Sequence, residues 1–143
     1  MEFETPIVPQ ANPGLSADYL RSDGTGVHLI GQHCEDCGKA LFPKTGICPG
    51  CQSERVVDVA LPAHGTLYSW SVVHVAPKPW VTPYVIGYVD LSDTVRVFSH
   101  IGGDPQVLRV DMPVRLHAAT PVSEERPAGT PLFTFNPVAG ENA

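Results

Sequence analysis

Apolar and polar positions alternate at strand period through most of the chain beyond Gly65. Residues 65–75 place Tyr68, Trp70 and Val72 on one side and Leu67, Ser69, Ser71 and Val73 on the other. This alternation, in β-branched and aromatic residues, predicts a strand. Residues 84–91 predict a second strand, with Gly87 in its middle where glycine suits a bulge or a sharp barrel bend. Ser92 and Asp93 predict a tight turn, followed by a third strand over 94–101. Val95, Val97 and Ile101 fall on one face of it, Arg96 and His100 on the other. Gly102-Gly103-Asp104-Pro105 breaks the pattern, and segments 113–119 and 131–135 predict two more strands. Five short strands with Gly/Pro turns predict a small closed barrel, because closure removes exposed edges. One long bending strand, a hairpin and a loop before the fourth strand are what an OB-fold requires.

The N-terminal half is patterned differently. Residues 27–33 read as a strand running into Cys34-Glu35-Asp36-Cys37, and Ala40-Leu41-Phe42-Pro43 is expected to return as its hairpin mate. Cys48 and Cys51 close that unit, and residues 56–61 lead away from it. Residues 14–20 predict a short helix, with Ser16 as N-cap and Leu15 and Tyr19 on one face at i, i+4 spacing. Residues 1–13 carry Pro6, Pro9 and Pro13 and read as an extended arm or a tail. The expected protein is mainly β. Its expected divisions are an arm and short helix over 1–26, a zinc ribbon over 27–55, a five-stranded OB-fold over 56–137 and a tail over 138–143.

Length and charge narrow the function classes. At 143 residues and 43% hydrophobic, the chain can build a real core. No run approaches the ~18 apolar residues of a membrane span. The acidic start, Met1-Glu2-Phe3-Glu4, is unlike a secretory signal, so a cytoplasmic protein is expected. A net charge of -6, with lysine only at positions 39, 44 and 78, argues against non-specific binding of nucleic acid.

The strongest chemical signal is C-x2-C-x10-C-x2-C at Cys34, Cys37, Cys48 and Cys51, which are all the cysteines present. Two C-x2-C turns facing each other supply four thiolates at tetrahedral corners, the arrangement zinc prefers. Gly38 and Pro49-Gly50 suit the tight backbone of such turns. Zn2+ is the favoured ion, with iron in a rubredoxin-type site or unmetallated thiols as alternatives. A closed four-thiolate sphere keeps no position for water, so the expected role is structural, and His33 is an ordinary strand-end residue. A ribbon of this size builds little core, so chelation is expected to loosen residues 27–55 before the barrel unfolds.

With every cysteine committed, no thiol nucleophile remains. The chain has no G-x-S-x-G, H-E-x-x-H or phosphate-loop motif. His74 and His100 lie on neighbouring expected strands but read as surface or core residues. Asp90, Asp93 and Asp104 read as turn residues. The loop over 76–83 stands out, with three prolines, Lys78 and Trp80. Proline lowers the ordering cost of binding, Trp80 could stack on an adenine or dock a partner, and Lys78 could neutralise a phosphate. The plainer alternative is that Trp80 caps the barrel and Lys78 is solvated.

Residues 31–38, Phe42-Pro43 and Cys48-Pro49-Gly50-Cys51 resemble the rubredoxin-like ribbon of the acyl-CoA-associated OB-fold family. Residues 65–74, 83–91, 112–116 and 132–137 resemble that family's barrel strands, so the likeness runs from about 15 to 137. Asp111 stands where the family often has glycine before Met-Pro. The resemblance implies a non-catalytic subunit of an acyl-CoA complex, a hetero-oligomer with a thiolase-like catalytic subunit. Whether this chain contacts the CoA ester or only braces the subunit that does stays open, and the charge and hydropathy above argue against nucleic acid and membrane. A chain of this size is most similar to small subunits of sterol-carrier-type or aromatic-degradation thiolases, such as the benzylsuccinate-pathway enzyme. Two other readings stay open: an accessory subunit of an acyl-CoA hydratase or aldolase, and a single-strand nucleic-acid-binding OB protein.

Overall fold

The computed structural model describes residues 19–23, 26–118, 129 and 131–138. Among the described residues, nine strands build two sheets. The first is the ribbon sheet, made by β1 (Leu20–Asp23), β2 (Gly26–Cys34), β3 (Ala40–Leu41) and β4 (Val56–Ala60). β2 is its spine and pairs antiparallel with each of the others. Its first half faces β1, with Leu20 opposite Leu29. Its second half faces β3 and β4, with His33 opposite Ala40 and Cys34 opposite Val56. The strand after the second cysteine pair thus returns along β2 and stays in the ribbon sheet.

The second sheet is a closed barrel of β5 (His64–Val73), β6 (Tyr84–Ser92), β7 (Val95–Ile101), β8 (Pro113–Ala118) and β9 (Phe133–Pro137), in the order β5-β6-β7-β9-β8. β8 closes onto β5, and among the described strands only β7 and β9 run parallel. Every strand expected in this region is present, and closure leaves no long unpaired edge.

The short N-terminal helix is not part of the fold as described. Most of the 14–20 segment lies outside the described residues, but Leu20, which was to close the helix, opens β1 instead. Leu20 is buried, and pairing with β2 satisfies its backbone better than a single helical turn could. Among the described residues there is no α-helix; Tyr19 has 3-10 conformation, and a 3-10 turn spans Pro105–Val107, whose N-cap Asp104 accepts from the backbone N–H of Gln106 at 2.9 Å.

The phase of β5 also differs from the simple alternation. The register slips between Leu67 and Ser69, so Tyr68 is the extra residue of a bulge. Leu67 points into the core, Tyr68 points out, and Trp70 and Val72 pack inward again. One inserted residue shifts the side-chain period by one, which separates Tyr68 from the face that Trp70 and Val72 share.

Ribbon and barrel are not independent bodies. Leu20, Leu29 and Leu61 belong to the same buried cluster as Leu67, Val89, Val97, Val114 and Phe135 of the barrel. Thr94, in the β6–β7 turn, adds polar contacts to the ribbon: its hydroxyl oxygen accepts from the Ala40 N–H at 3.2 Å and its hydroxyl donates to the Ala40 carbonyl at 2.9 Å.

Candidate functional site

The two cysteine pairs fold as equivalent knuckles. In the first, the N–H of Cys34 donates to the Lys39 carbonyl (2.9 Å) and the N–H of Gly38 to the Cys34 carbonyl (2.9 Å). In the second, Cys48 N–H donates to the Ser53 carbonyl (2.8 Å) and Gln52 N–H to the Cys48 carbonyl (2.7 Å). The residue after each second cysteine must therefore turn left-handed, and Gly38 and Gln52 sit at φ 81 and φ 65. Glycine takes that conformation freely, whereas glutamine pays about 1–2 kcal/mol for it. The expected glycine position of the second knuckle was Gly50, but the strained position is Gln52. We expect Gln52→Gly to raise chemical-denaturation stability by about 1 kcal/mol, and a lowered midpoint would contradict this geometry.

All four sulfurs lie within 4.8 Å of one another. Cys34 Sγ is 3.6 Å from Cys51 Sγ, and Cys37 Sγ is 3.6 Å from Cys48 Sγ. Four thiolates at about 2.3 Å around one tetrahedral ion would stand roughly 3.8 Å apart, so the donor set fits a single metal with little movement. Backbone amides point at the inner sulfurs, from Cys37 to Cys34 at 3.5 Å and from Gly50 to Cys48 at 3.3 Å.

The thiols are correspondingly split. Cys34 is lowered to about 6, chiefly by the backbone N–H of Cys37, and Cys48 is lowered chiefly by that of Cys51. For Cys51 the Ser53 backbone pulls downward, but the hydrogen bond to Cys34, desolvation and the other thiols push it up to about 12. Cys37 is likewise raised: the Lys39 backbone opposes the shift, but desolvation and the Cys48 and Cys34 thiols outweigh it. Each cross-knuckle pair therefore joins one sulfur poised to ionise and one that holds its proton, and a bound cation takes the place of those protons.

Charged side chains brace the knuckles from outside. Arg55 lies 3.0 Å from Asp36 and 3.6 Å from Glu35, and the Ser53 hydroxyl donates to Asp36. These groups are exposed and contribute little individually. His33, beside Cys34, lies in β2 opposite Val57 and outside the sulfur cluster.

The second candidate region is the loop between β5 and β6. Lys78 is exposed at its tip, while Trp80 is half-buried and stacks on His100, ring centroids 5.1 Å apart at 19°. Tyr84 completes the cluster, 5.0 Å from His100 and 5.8 Å from Trp80. Burial lowers the His100 pKa, which favours the neutral ring. His74 is exposed and does not meet His100, because β6 lies between β5 and β7. Gly129 presses its backbone onto the same loop, where a Cβ would meet the Pro79 carbonyl oxygen at 2.6 Å. No motif marks this three-ring cluster: the β6–β7 pairing, with Ile86 opposite His100, sets His100 beside Tyr84, and the loop before β6 folds Trp80 onto both.

Comparison with known proteins gives consecutive matches. The model of the ChsH2 rubredoxin-like zinc ribbon domain matches residues 27–57, and that of the ChsH2 C-terminal OB-fold domain matches residues 58–119. The chain is 37% identical over 132 residues to benzoylsuccinyl-CoA thiolase subunit BbsA of Thauera aromatica, covering 89% of this chain and 90% of that protein. It is 40% identical over 76 residues to a DUF35 domain-containing scaffold protein of Methanocaldococcus jannaschii, covering 51% of this chain and 54% of that one. Among solved structures, the Ltp2-ChsH2(DUF35) aldolase matches with a TM-score of 0.62 at 29% identity, over 77% of this chain and 84% of that chain.

Proposed function

The chain belongs to the ChsH2 family of proteins that join a rubredoxin-like zinc ribbon to an OB-fold, and from that membership we propose that it is the non-catalytic accessory subunit of a thiolase-type acyl-CoA complex. The observation that carries this reading is the match to a thiolase subunit along nearly its whole length. The chemistry agrees: all four cysteines belong to one cluster, so the chain brings no separate thiol for acyl transfer. A partner must supply it. The likeness to an aldolase assembly supports a second reading, an aldolase accessory subunit of the same architecture.

We assign zinc to the four-cysteine cluster. Bound there, it supplies folding energy to the ribbon and has no open position for substrate. Purified chain should contain one zinc per polypeptide by elemental analysis, and the visible thiolate-to-iron absorption of a rubredoxin-type centre would refute the assignment. Reduced, metal-committed thiols suit a cytoplasmic complex.

The loop carrying Lys78 and Trp80 is our candidate for contact with the CoA ester or the partner. His100 occupies one face of Trp80, so an adenine or a partner side chain would use the other. In the complex, Trp80→Ala is expected to weaken CoA-ester binding by roughly tenfold in calorimetry, and Lys78→Gln to have a smaller, salt-sensitive effect. Unchanged affinity in both variants would remove the loop from the CoA site.

The overall reading is tested by tagging the full chain, purifying it from its native cells and identifying what accompanies it by mass spectrometry. A stoichiometric thiolase- or aldolase-type chain is expected, with acyl-CoA cleavage by the complex and none by the isolated chain. Cleavage of a 3-ketoacyl-CoA by the isolated chain would overturn it.

A further inference from the structure

The outer face of the barrel over β5, β6 and β7 is unusually aromatic for a surface. The bulge turns Tyr68 outward, where it remains 47% exposed beneath the Arg96 guanidinium, 3.6 Å from the ring centroid. One rung along, Tyr88 and Phe98 pair across β6 and β7 with ring centroids 5.3 Å apart, 44% and 55% exposed. Beside them a groove of about 760 Å³, lined by Thr66 and residues 90–96, gives the face relief.

On the strands of this face the charge is cancelled internally, while Asp93, in the turn that lines the groove, leaves one exposed carboxylate at its edge. Arg96 is the only Lys or Arg on these three strands, Asp90 the only carboxylate. They hold each other in a forked pair, through Nε at 2.6 Å and Nη2 at 3.1 Å. A phosphodiester strand would find no free cation among these strands, although aromatic stacking alone would suit a base. A neutral, apolar protein surface is the complement: exposed Tyr, Phe and a stacked Arg around a groove are the composition of an interface centre. The ribbon side, by contrast, carries the exposed Arg55, Asp36, Glu35 and Asp58. An outward stripe three strands wide is about 10 Å across, enough for the centre of an interface of roughly 800 Å² per partner, with the groove and the loops as its rim.

We propose that this face, centred on Tyr88, Phe98 and the Tyr68–Arg96 stack, seats an uncharged apolar patch of the catalytic acyl-CoA subunit. The proposal rests on the accessory-subunit reading above and goes beyond it by naming the surface.

The test uses the full-length, metal-loaded chain and the catalytic chain that co-purifies with it, identified by mass spectrometry and by acyl-CoA cleavage. Tyr88→Ser combined with Phe98→Ser should weaken that complex at least tenfold in calorimetry, while Val57→Ser on the exposed ribbon face should leave it unchanged. Both variants are checked for unaltered melting and metal content. Hydroxyl-radical footprinting of the wild-type complex needs no variant and should show Tyr88 and Phe98 protected several-fold relative to the free chain. Unchanged affinity in the double variant, or full labelling of both rings in the complex, overturns this surface while leaving the accessory-subunit reading intact. Absence of any acyl-CoA enzyme from the wild-type preparation overturns both. Loss of self-association, or of binding to a labelled single-stranded oligonucleotide, in the double variant with the catalytic complex unaffected would assign the face to a second copy or to nucleic acid and also overturn it.

Discussion

Stripping the metal from the four-cysteine cluster is expected to lower the melting temperature of the barrel as well as to release the ribbon. A structural zinc site in a small peptide is worth about 10–16 kcal/mol of apparent binding energy, more than a two-turn ribbon can replace by packing. Taken alone, the small ribbon would loosen first and leave the barrel standing. The shared core changes that expectation. Leu20 and Leu29 sit in ribbon strands, Leu61 follows directly after them, and all three are buried in the same cluster as the barrel residues Leu67, Val89 and Val114. Exposing three leucines forfeits roughly 1.5–3 kcal/mol each. For a domain of this size that corresponds to a fall of about 10–30 °C in the barrel's melting temperature. Hydrogen exchange and circular dichroism across a chelator titration should show strands of both sheets losing protection together. A barrel that melts unchanged after complete metal removal would show that the junction contributes little.

The second large effect is expected at the junction itself. Leu29 is 0% exposed and belongs to a strand that pairs only within the ribbon sheet, yet its side chain is part of the barrel's buried cluster. Truncating such a residue removes transfer energy and leaves a cavity, so Leu29→Ala should cost about 2–5 kcal/mol, or roughly 5–15 °C. Val57→Ala, on an exposed position of the same sheet, should stay within about 0.5 kcal/mol. Urea unfolding with a metal assay distinguishes two outcomes. If Leu29 joins the modules, the variant releases metal at lower urea along with barrel unfolding. A cost below about 1 kcal/mol, with metal retention unaltered, would mean that the two parts fold independently.

The grouping of the four cysteines and the barrel strands were legible in the chain because both signals are local. Four thiols in two C-x2-C turns need only a few neighbouring residues to present tetrahedral donors. The inward rows of β6 and β7, such as Val85 and Val89 or Val95 and Val97, follow the two-residue period of any half-buried strand. Local reading failed where two distant segments decided the outcome. Leu20 looked helical beside Ser16 and Tyr19, but a buried place opposite Leu29 outweighs the weak preference of one short turn. Gln52 carries no mark of left-handed backbone, and its φ of 65 follows from closing the second knuckle onto Cys48.

The sequence by itself determined the pairing of the cysteines into two turns, the strand content and the acidic balance, since spacing, period and charge are properties of neighbouring residues or of simple sums. Only the tertiary structure decided which way the aromatics face. The bulge at Tyr68 turns that ring out to Arg96, and the pairing of β6 with β7 brings His100 to the loop that carries Trp80. It also decided that ribbon and barrel share one core, because burying Leu29 requires barrel residues such as Val114 that lie far along the chain. Contacts of that kind carry an energy but leave no period, and so they become visible only once the chain has closed on itself.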